Sequence, residues 1–246
     1  MDHLLYIAAS GANEAMLAQA ANSHNLANAS TSGFKADLVQ AQSSYLLGEG
    51  FDSRVYGMAR EQGSDLRAGA LESTGRALDV AIAGEGWMAV QAPDGGEALT
   101  RRGDLRVDEF GLLRNGAGEP VLGDAGPVAL PPFSSLTIGA DGTVSIVPLG
   151  EQANAVVALD RIRLLNPPQE VIEKGADGLL RVTDDVESVP DAGVRLATGT
   201  LERSNVNPVE SMVRMIELSR QFESHVRLMN TAQELDASSA QLMRLE

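Results

Sequence analysis

Gly84-Glu85-Gly86-Trp87-Met88-Ala89 has the G-x-G-x-x-A spacing of a dinucleotide loop and follows a strand-like run. In such a loop the glycines let the backbone approach a pyrophosphate held at the N-terminus of the next helix. Here Pro93-Asp94-Gly95-Gly96 would stop that helix within about one turn. The spacing therefore reads as a glycine-rich turn between strands. His3, His24 and His225 lack an H-E-x-x-H neighbourhood or other metal-ligand spacing. Ala140-Asp141-Gly142-Thr143 offers one oxygen ligand where a calcium loop needs alternating ligands and a terminal Glu. The adjacent acids Asp108-Glu109 and Asp184-Asp185 fall in turns, where solvated carboxylates are the ordinary case. There is no G-x-S-x-G elbow. The absence of cysteine excludes a thiolate zinc site, a disulfide scaffold and a Cys nucleophile. No catalytic, cofactor-binding or metal residue is assigned, and the chain reads as a non-enzyme. Asn28-Ala29-Ser30 is a formal glycosylation sequon without a secretory context.

Composition narrows the classes further. The 246 residues are 43% hydrophobic and 22% charged, in the range of a globular protein. A net charge of −15 argues against a nucleic-acid partner and against anionic lipid, because both are bound through Lys and Arg. No apolar run approaches the roughly 20 residues that cross a bilayer, so no integral membrane segment is expected. Met1-Asp2-His3 is not a basic leader, and Leu4 to Ala9 is too short for its apolar core, so no cleaved signal peptide is expected.

The elements that must position these residues divide into ends and middle. Residues 37–198 hold a net charge of −12, against −1 before them and −2 after them. Glycine, proline and Asx-Gly turns concentrate there too. From Met1 to Leu26 there is one Gly and no Pro. Leu5, Ala8, Ala12, Ala15, Gln19, Asn22 and Leu26 step by three and four, which is a heptad seam. Small and polar residues allow close helix approach but bury little apolar area, so this helix needs a partner. It is expected to stop near Asn28, before Ala29-Ser30-Thr31-Ser32-Gly33. At the other end Asn207 is an N-cap, Pro208 suits the first helical position and Glu210 follows three residues after the cap. An apolar stripe then runs through Val209, Met212, Val213, Ile216, Phe222, Val226, Met229, Ala232, Leu235 and Leu242. This predicts a single helix about 55–60 Å long, a length natural for a coiled coil.

The middle reads as short antiparallel strands. Candidates are 78–82, 87–91, 105–107, 121–122, 136–138, 143–147, 156–159, 162–165 and 179–182. Asp94-Gly95-Gly96, Asn115-Gly116, Asp141-Gly142 and Asp177-Gly178 separate several of them. Six glycines between residues 48 and 75 predict an irregular connector over 37–75.

A family resemblance enters with Asn22-Ser23-His24-Asn25-Leu26-Ala27-Asn28-Ala29-Ser30-Thr31-Ser32-Gly33-Phe34-Lys35. This run resembles the N-terminal signature of flagellar rod, hook and hook-associated proteins, of the form N-N-L-A-N-x-x-T-x-G-F-K. Gly199-Thr200-Leu201-Glu202-Arg203-Ser204-Asn205-Val206-Asn207 is similar to the family's lead into its C-terminal helix. Leu78-Asp79-Val80-Ala81-Ile82, Thr100-Arg101-Arg102-Gly103-Asp104-Leu105 and Ile138-Gly139-Ala140-Asp141-Gly142-Thr143-Val144 resemble its β-domain motifs. The opening Met1-Asp2-His3-Leu4-Leu5-Tyr6 looks like the proximal-rod branch; the distal-rod branch is the alternative.

The resemblance implies an axial, structural subunit of the bacterial flagellar basal body, without a cofactor. It implies export by the flagellar type III apparatus and assembly in the periplasm. The implied partners are other copies, other proximal-rod proteins and the distal-rod protein. The expected fold is α+β, with paired terminal helices forming a coiled-coil-like domain (1–30 and 205–246), a connector (31–75 and 190–204) and an antiparallel β-domain (76–189). The expected assembly residues are the first-helix seam, the loop positions Asn28, Gly33, Phe34, Asn205, Val206 and Asn207, and Met212, Ile216, Phe222, Val226, Met229, Leu235 and Leu242. Outside the family, the same pattern suits a soluble β-domain binding module with a helical dimerisation stalk.

Overall fold

The computed structural model describes residues 2–45, 55–152, 154–175, 177–183 and 189–243, with side chains for all of these except 2–4, 40–62 and 239–243. The chain divides into two compact units. The first unit comprises Met1–Asn28, Asp37–Asp65 and Val206–Glu246. It contains helix α1 (Asp2–Ala27), helix α2 (Pro208–Met243) and a ribbon of two strands, β1 (Asp37–Tyr45) and β2 (Val55–Ser64).

α2 begins where its cap dictates. Asn207 Oδ1 accepts from the backbone N–H groups of Val209 at 3.1 Å and Glu210 at 3.4 Å, and Asn207 O accepts from Ser211 N at 3.0 Å. α1 ends at Ala27, with Asn28 N donating to His24 O at 3.1 Å. The ribbon replaces the irregular connector expected for residues 37–75. Its ladder runs from Asp37 opposite Ser64 to Tyr45 opposite Val55, with a register shift between Asp37 and Val39. Gly63 lies at that shift with φ +97°, so the glycine read as a breaker serves a β-bulge. Gly48 and Gly50 lie outside the described residues.

The second unit comprises Ala29–Ala36 and Leu66–Asn205. It is built from antiparallel strands. β3 (Leu71–Ser73) pairs with Thr200–Glu202, and β4 (Val80–Ile82) pairs with Leu196–Thr198. β5 (Trp87–Gln91) and β6 (Glu97–Thr100) form the centre of a five-stranded sheet. Its outer members are Leu164–Leu165 beside β5, and Leu180–Val182 with Ile172–Lys174 beyond β6. A three-stranded sheet holds Phe133–Ile138, Thr143–Pro148 and Val157–Arg161. The core gathers Met88, Val90, Leu105, Leu113, Val121, Val144, Ile146 and Ile162, all nearly inaccessible to solvent. Every strand expected between residues 78 and 182 has its counterpart here.

The compositional boundaries need correction at both edges of this unit. Residues 29–36 and 66–75 belong to the β unit, as do 190–204, because Leu196–Thr198 and Thr200–Glu202 are strands in its sheets. The architecture is α+β, with two helices and an antiparallel β unit.

Candidate assembly site

α1 and α2 pack against each other within the first unit. Two contacts set their direction. Asn22 Nδ2 donates to Ser211 O at 2.7 Å, and Gly11 lies against the ring of His225. As α1 runs forward, its partners on α2 run backward, so the helices are antiparallel. On α1 the seam residues Ala8, Ala12, Ala15 and Asn22 are buried, Gln19 and Leu26 are half-buried, and Leu5 is 42% exposed. Asn25, outside that seam, is buried as well.

On α2 the face toward α1 is rotated from the expected stripe. Ser211, Leu218 and Ala232 are buried, and Met215, Phe222, His225 and Met229 are half-buried. These seven positions step by four and three, a second heptad seam. Phe222 and Met229 lie on this seam and Val226 beside it. Met212 and Ile216 do not: they are 55% and 57% exposed, with Val209 and Val213, on the opposite side of the helix. Leu235 is also exposed, and the Leu242 side chain lies outside the described ones. The helix carries two apolar faces, and the one against α1 contains a Ser and a His.

The Asn-rich signature resolves into a set of backbone clamps. Asn25 Nδ2 donates to Asp37 O at 2.9 Å, and Asp37 N donates back to Asn25 Oδ1 at 2.8 Å. The side-chain amide thus stands in for a strand partner at the first residue of β1. His24 Nδ1 meets Asp37 Oδ2 at 2.6 Å. Asn28 Nδ2 donates to His24 O at 3.1 Å, satisfying a carbonyl of the last turn of α1.

In the second unit, Gly33-Phe34-Lys35 is held by one buried carboxylate. Gly33 has φ +67°, and a Cβ there would overlap the backbone of Arg101, so the position demands glycine. Gly33 N donates to Glu202 O at 2.8 Å. Lys35 Nζ donates to Glu202 Oε1 at 2.7 Å and to Arg67 O at 2.8 Å. Gly69 N donates to the same Oε1 at 2.9 Å, and Arg101 Nη1 donates to Oε2 at 3.0 Å. Arg101 also donates to the carbonyls of Gly86 and Gly84 at 3.0 and 2.9 Å. Trp87 covers both cations, with its ring 5.8 Å from Lys35 Nζ and 5.1 Å from the Arg101 guanidinium carbon. Lys35, Arg101 and Glu202 are all nearly inaccessible to solvent. Phe34 lies under Lys174, whose Nζ is 5.2 Å from its ring. Asn205 Oδ1 accepts from Ala36 N at 2.9 Å, and Asn205 N donates to Phe34 O at 3.4 Å. Val206 is half-buried. A carboxylate with three donors and two cations is a fully satisfied buried network. Lys35, Arg101 and Glu202 each lie in a family-like motif, but nothing in the spacing of those motifs marks them as one cluster.

The glycine-rich turn is part of this clamp. Gly84 and Gly86 have φ +102° and +121° and lead into strand β5, with no helix to receive a pyrophosphate. Among the described residues there is no group of three or more acids and histidines placed to hold a metal ion. No helix among them is long and apolar enough to cross a membrane.

Comparison with known proteins matches this layout. Residues 5–35 match the family described as Flagella basal body rod protein. Residues 81–146 match the Flagellar hook protein FlgE/F/G D1 domain, and 197–242 the Flagellar basal body rod FlgEFG protein C-terminal family. The chain is 36% identical to the flagellar basal-body rod protein FlgF of Salmonella typhimurium, over 100% of both chains. It is equally similar, 36% over 100% of both, to FlgF of Escherichia coli. FlgF of Caulobacter vibrioides is 32% identical over 98% of each chain. The chain belongs to the family of flagellar basal-body rod proteins represented by FlgF, structural subunits of the rod rather than enzymes.

Proposed function

We propose that this subunit builds the proximal part of the rod by pairing its two chain ends as an antiparallel coiled coil and stacking that pair against neighbouring copies. The observation that carries the reading is the second apolar face of α2. Val209, Met212, Val213 and Ile216 repeat at helical spacing opposite the α1-facing seam and stay exposed. A helix with apolar residues on two sides is suited to two partners. Tyr6 and Leu17 add exposed apolar surface on α1. Head-to-tail contacts whose rotation does not close generate a helical tube. The partners in that tube are further copies, the other proximal-rod proteins and the distal-rod protein FlgG.

The ends order late in this scheme. The chain passes through the flagellar type III export apparatus, reaches the periplasm, and pairs its ends when it joins the rod. Ordering them costs conformational entropy that burial against neighbours offsets. Like charge on the acidic β unit discourages premature association.

The test is truncation. Removing residues 1–30 or 205–246 is expected to abolish incorporation into purified basal bodies and motility while the β unit still unfolds cooperatively. Retained incorporation after either truncation would sink the proposal. So would protease resistance of both ends in the isolated monomer, because it contradicts late ordering.

A further inference from the structure

Gly11 is the only glycine of α1, and it faces the His225 ring on α2. A Cβ at Gly11 would overlap His225 Cε1 and stand 2.7 Å from Nε2 and 2.8 Å from Nδ1. Any other residue type would therefore have to displace the ring. By local criteria both residues are poor choices. Glycine inside a helix is less favourable than alanine, because it has more backbone freedom to lose. His225 Nδ1 is buried without a hydrogen-bond partner among the described residues, which is unfavourable for a polar atom.

What the pair supplies is discrimination between registers. Both seams repeat every seven residues, so sliding α2 by one heptad, about 10 Å, still sets seam against seam. Alanines at 8, 12 and 15 accept many opposing side chains and do little to prevent that slip. In an antiparallel pair, a one-heptad slip brings His225 opposite Ala18 or Leu4 instead of Gly11. Both carry a Cβ, so the ring meets a filled surface.

We propose that Gly11 and His225 form a steric key that selects a single register of the two chain ends. The key gives up local stability and disfavours the slipped alternatives, as single polar residues do in other helix pairs. It rests on the reading that the paired ends build the rod, because register decides which outer-face residues a neighbour meets.

The test complements cells lacking this protein with full-length variants and reads swarm expansion and subunit content of purified basal bodies. Gly11→Ala is expected to lower both by about tenfold or more, since the added methyl overpacks a tight contact. Adding His225→Ala removes the ring and restores both to within about twofold, because the two changes couple directly. Moving the notch alone, Gly11→Ala with Ala18→Gly, stays defective. Moving notch and ring together, by adding Leu218→His and His225→Leu, restores assembly. The proposal is overturned if Gly11→Ala, or the moved notch alone, assembles like the parent. It is also overturned if both rescues fail while limited proteolysis shows the β unit intact. Failure of the rod reading is a separate outcome: cells without the protein would then swim normally.

Discussion

Lys35 and Glu202, separated by 167 positions, join in a 2.7 Å ion pair that is closed to solvent on both sides. The carboxylate is held independently by Arg101 and Gly69 N, so Lys35 enters a socket that the β unit already organises. Lys35 lies just after the N-terminal helix, and Glu202 lies a few residues before the C-terminal one. One buried carboxylate thus ties the segment 29–36 to strands of the same β unit.

Removing either partner leaves the other charge buried. Glu202→Ala strands two cations and is expected to destabilise the β unit by about 3–5 kcal/mol. Lys35→Met should cost less, because Arg101 continues to neutralise Glu202. Urea unfolding of the two variants, followed by Trp87 fluorescence, checks both the size and the order. Equal losses would mean that the socket is not organised without Lys35.

Gly33→Ala forces a Cβ into the Arg101 backbone at φ +67°. The expected loss is about 1–3 kcal/mol, or several degrees in melting temperature. Calorimetry is the check. Gly75→Ala is the control: it has a similar φ of +71° but nothing within 4 Å of a built Cβ, so it should lose only the backbone-strain part.

Asn25→Ala removes both bonds to Asp37 and leaves the Asp37 N–H and carbonyl to find other partners. A loss of about 1–2 kcal/mol is expected. Hydrogen exchange in assembled rods should show it as faster exchange at Asp37 than in the parent, with the centre of the β unit unchanged. Unchanged exchange at Asp37 would contradict the clamp.

On α2, Ile216→Asp and Leu218→Asp should separate assembly from folding. Ile216 is exposed, and Leu218 is buried on the same seam of α2 as Ser211 and His225. The first is expected to leave thermal stability within about 0.5 kcal/mol of the parent and to abolish rod incorporation. The second should weaken the pairing of α1 and α2 in the rod, so that any incorporated subunits keep protease-sensitive ends. If the Ile216 variant assembles normally, the outer face is not a contact.

Arg181 hydrogen-bonds Asp177 and holds its carboxyl down to about 2. A depressed acid stabilises the folded state above its unfolded pKa, so this contribution is present at neutral pH. It fades as pH falls from about 4 toward 2. Because the pair is partly solvated, the worth is about 0.5–1 kcal/mol. Asp177→Asn should lower stability at pH 7 by that amount and make no difference near pH 2. Parallel melting curves at the two pH values test it.

The sequence by itself determined the local structure. Asn207-Pro208 marked the start of α2, the loop after Ala27 marked the end of α1, and Asx-Gly turns marked the strand boundaries. These signals live in a few adjacent residues and survive any tertiary context. The signature run, with the matches in the middle and at the far end, also carried the family.

Only the tertiary structure decided which face of α2 meets α1. Met212 and Ile216 are as apolar as Leu218, and hydrophobicity cannot rank two stripes on one helix. Packing ranked them, because Gly11 and the alanines of α1 admit His225 and Leu218 closely. The ribbon of residues 37–64 was illegible for a related reason. Its glycines are breakers locally, and only pairing across the ladder turns Gly63 into a bulge. The Lys35–Glu202–Arg101 cluster combines residues far apart in the chain, and no local spacing encodes a contact made by three separate segments.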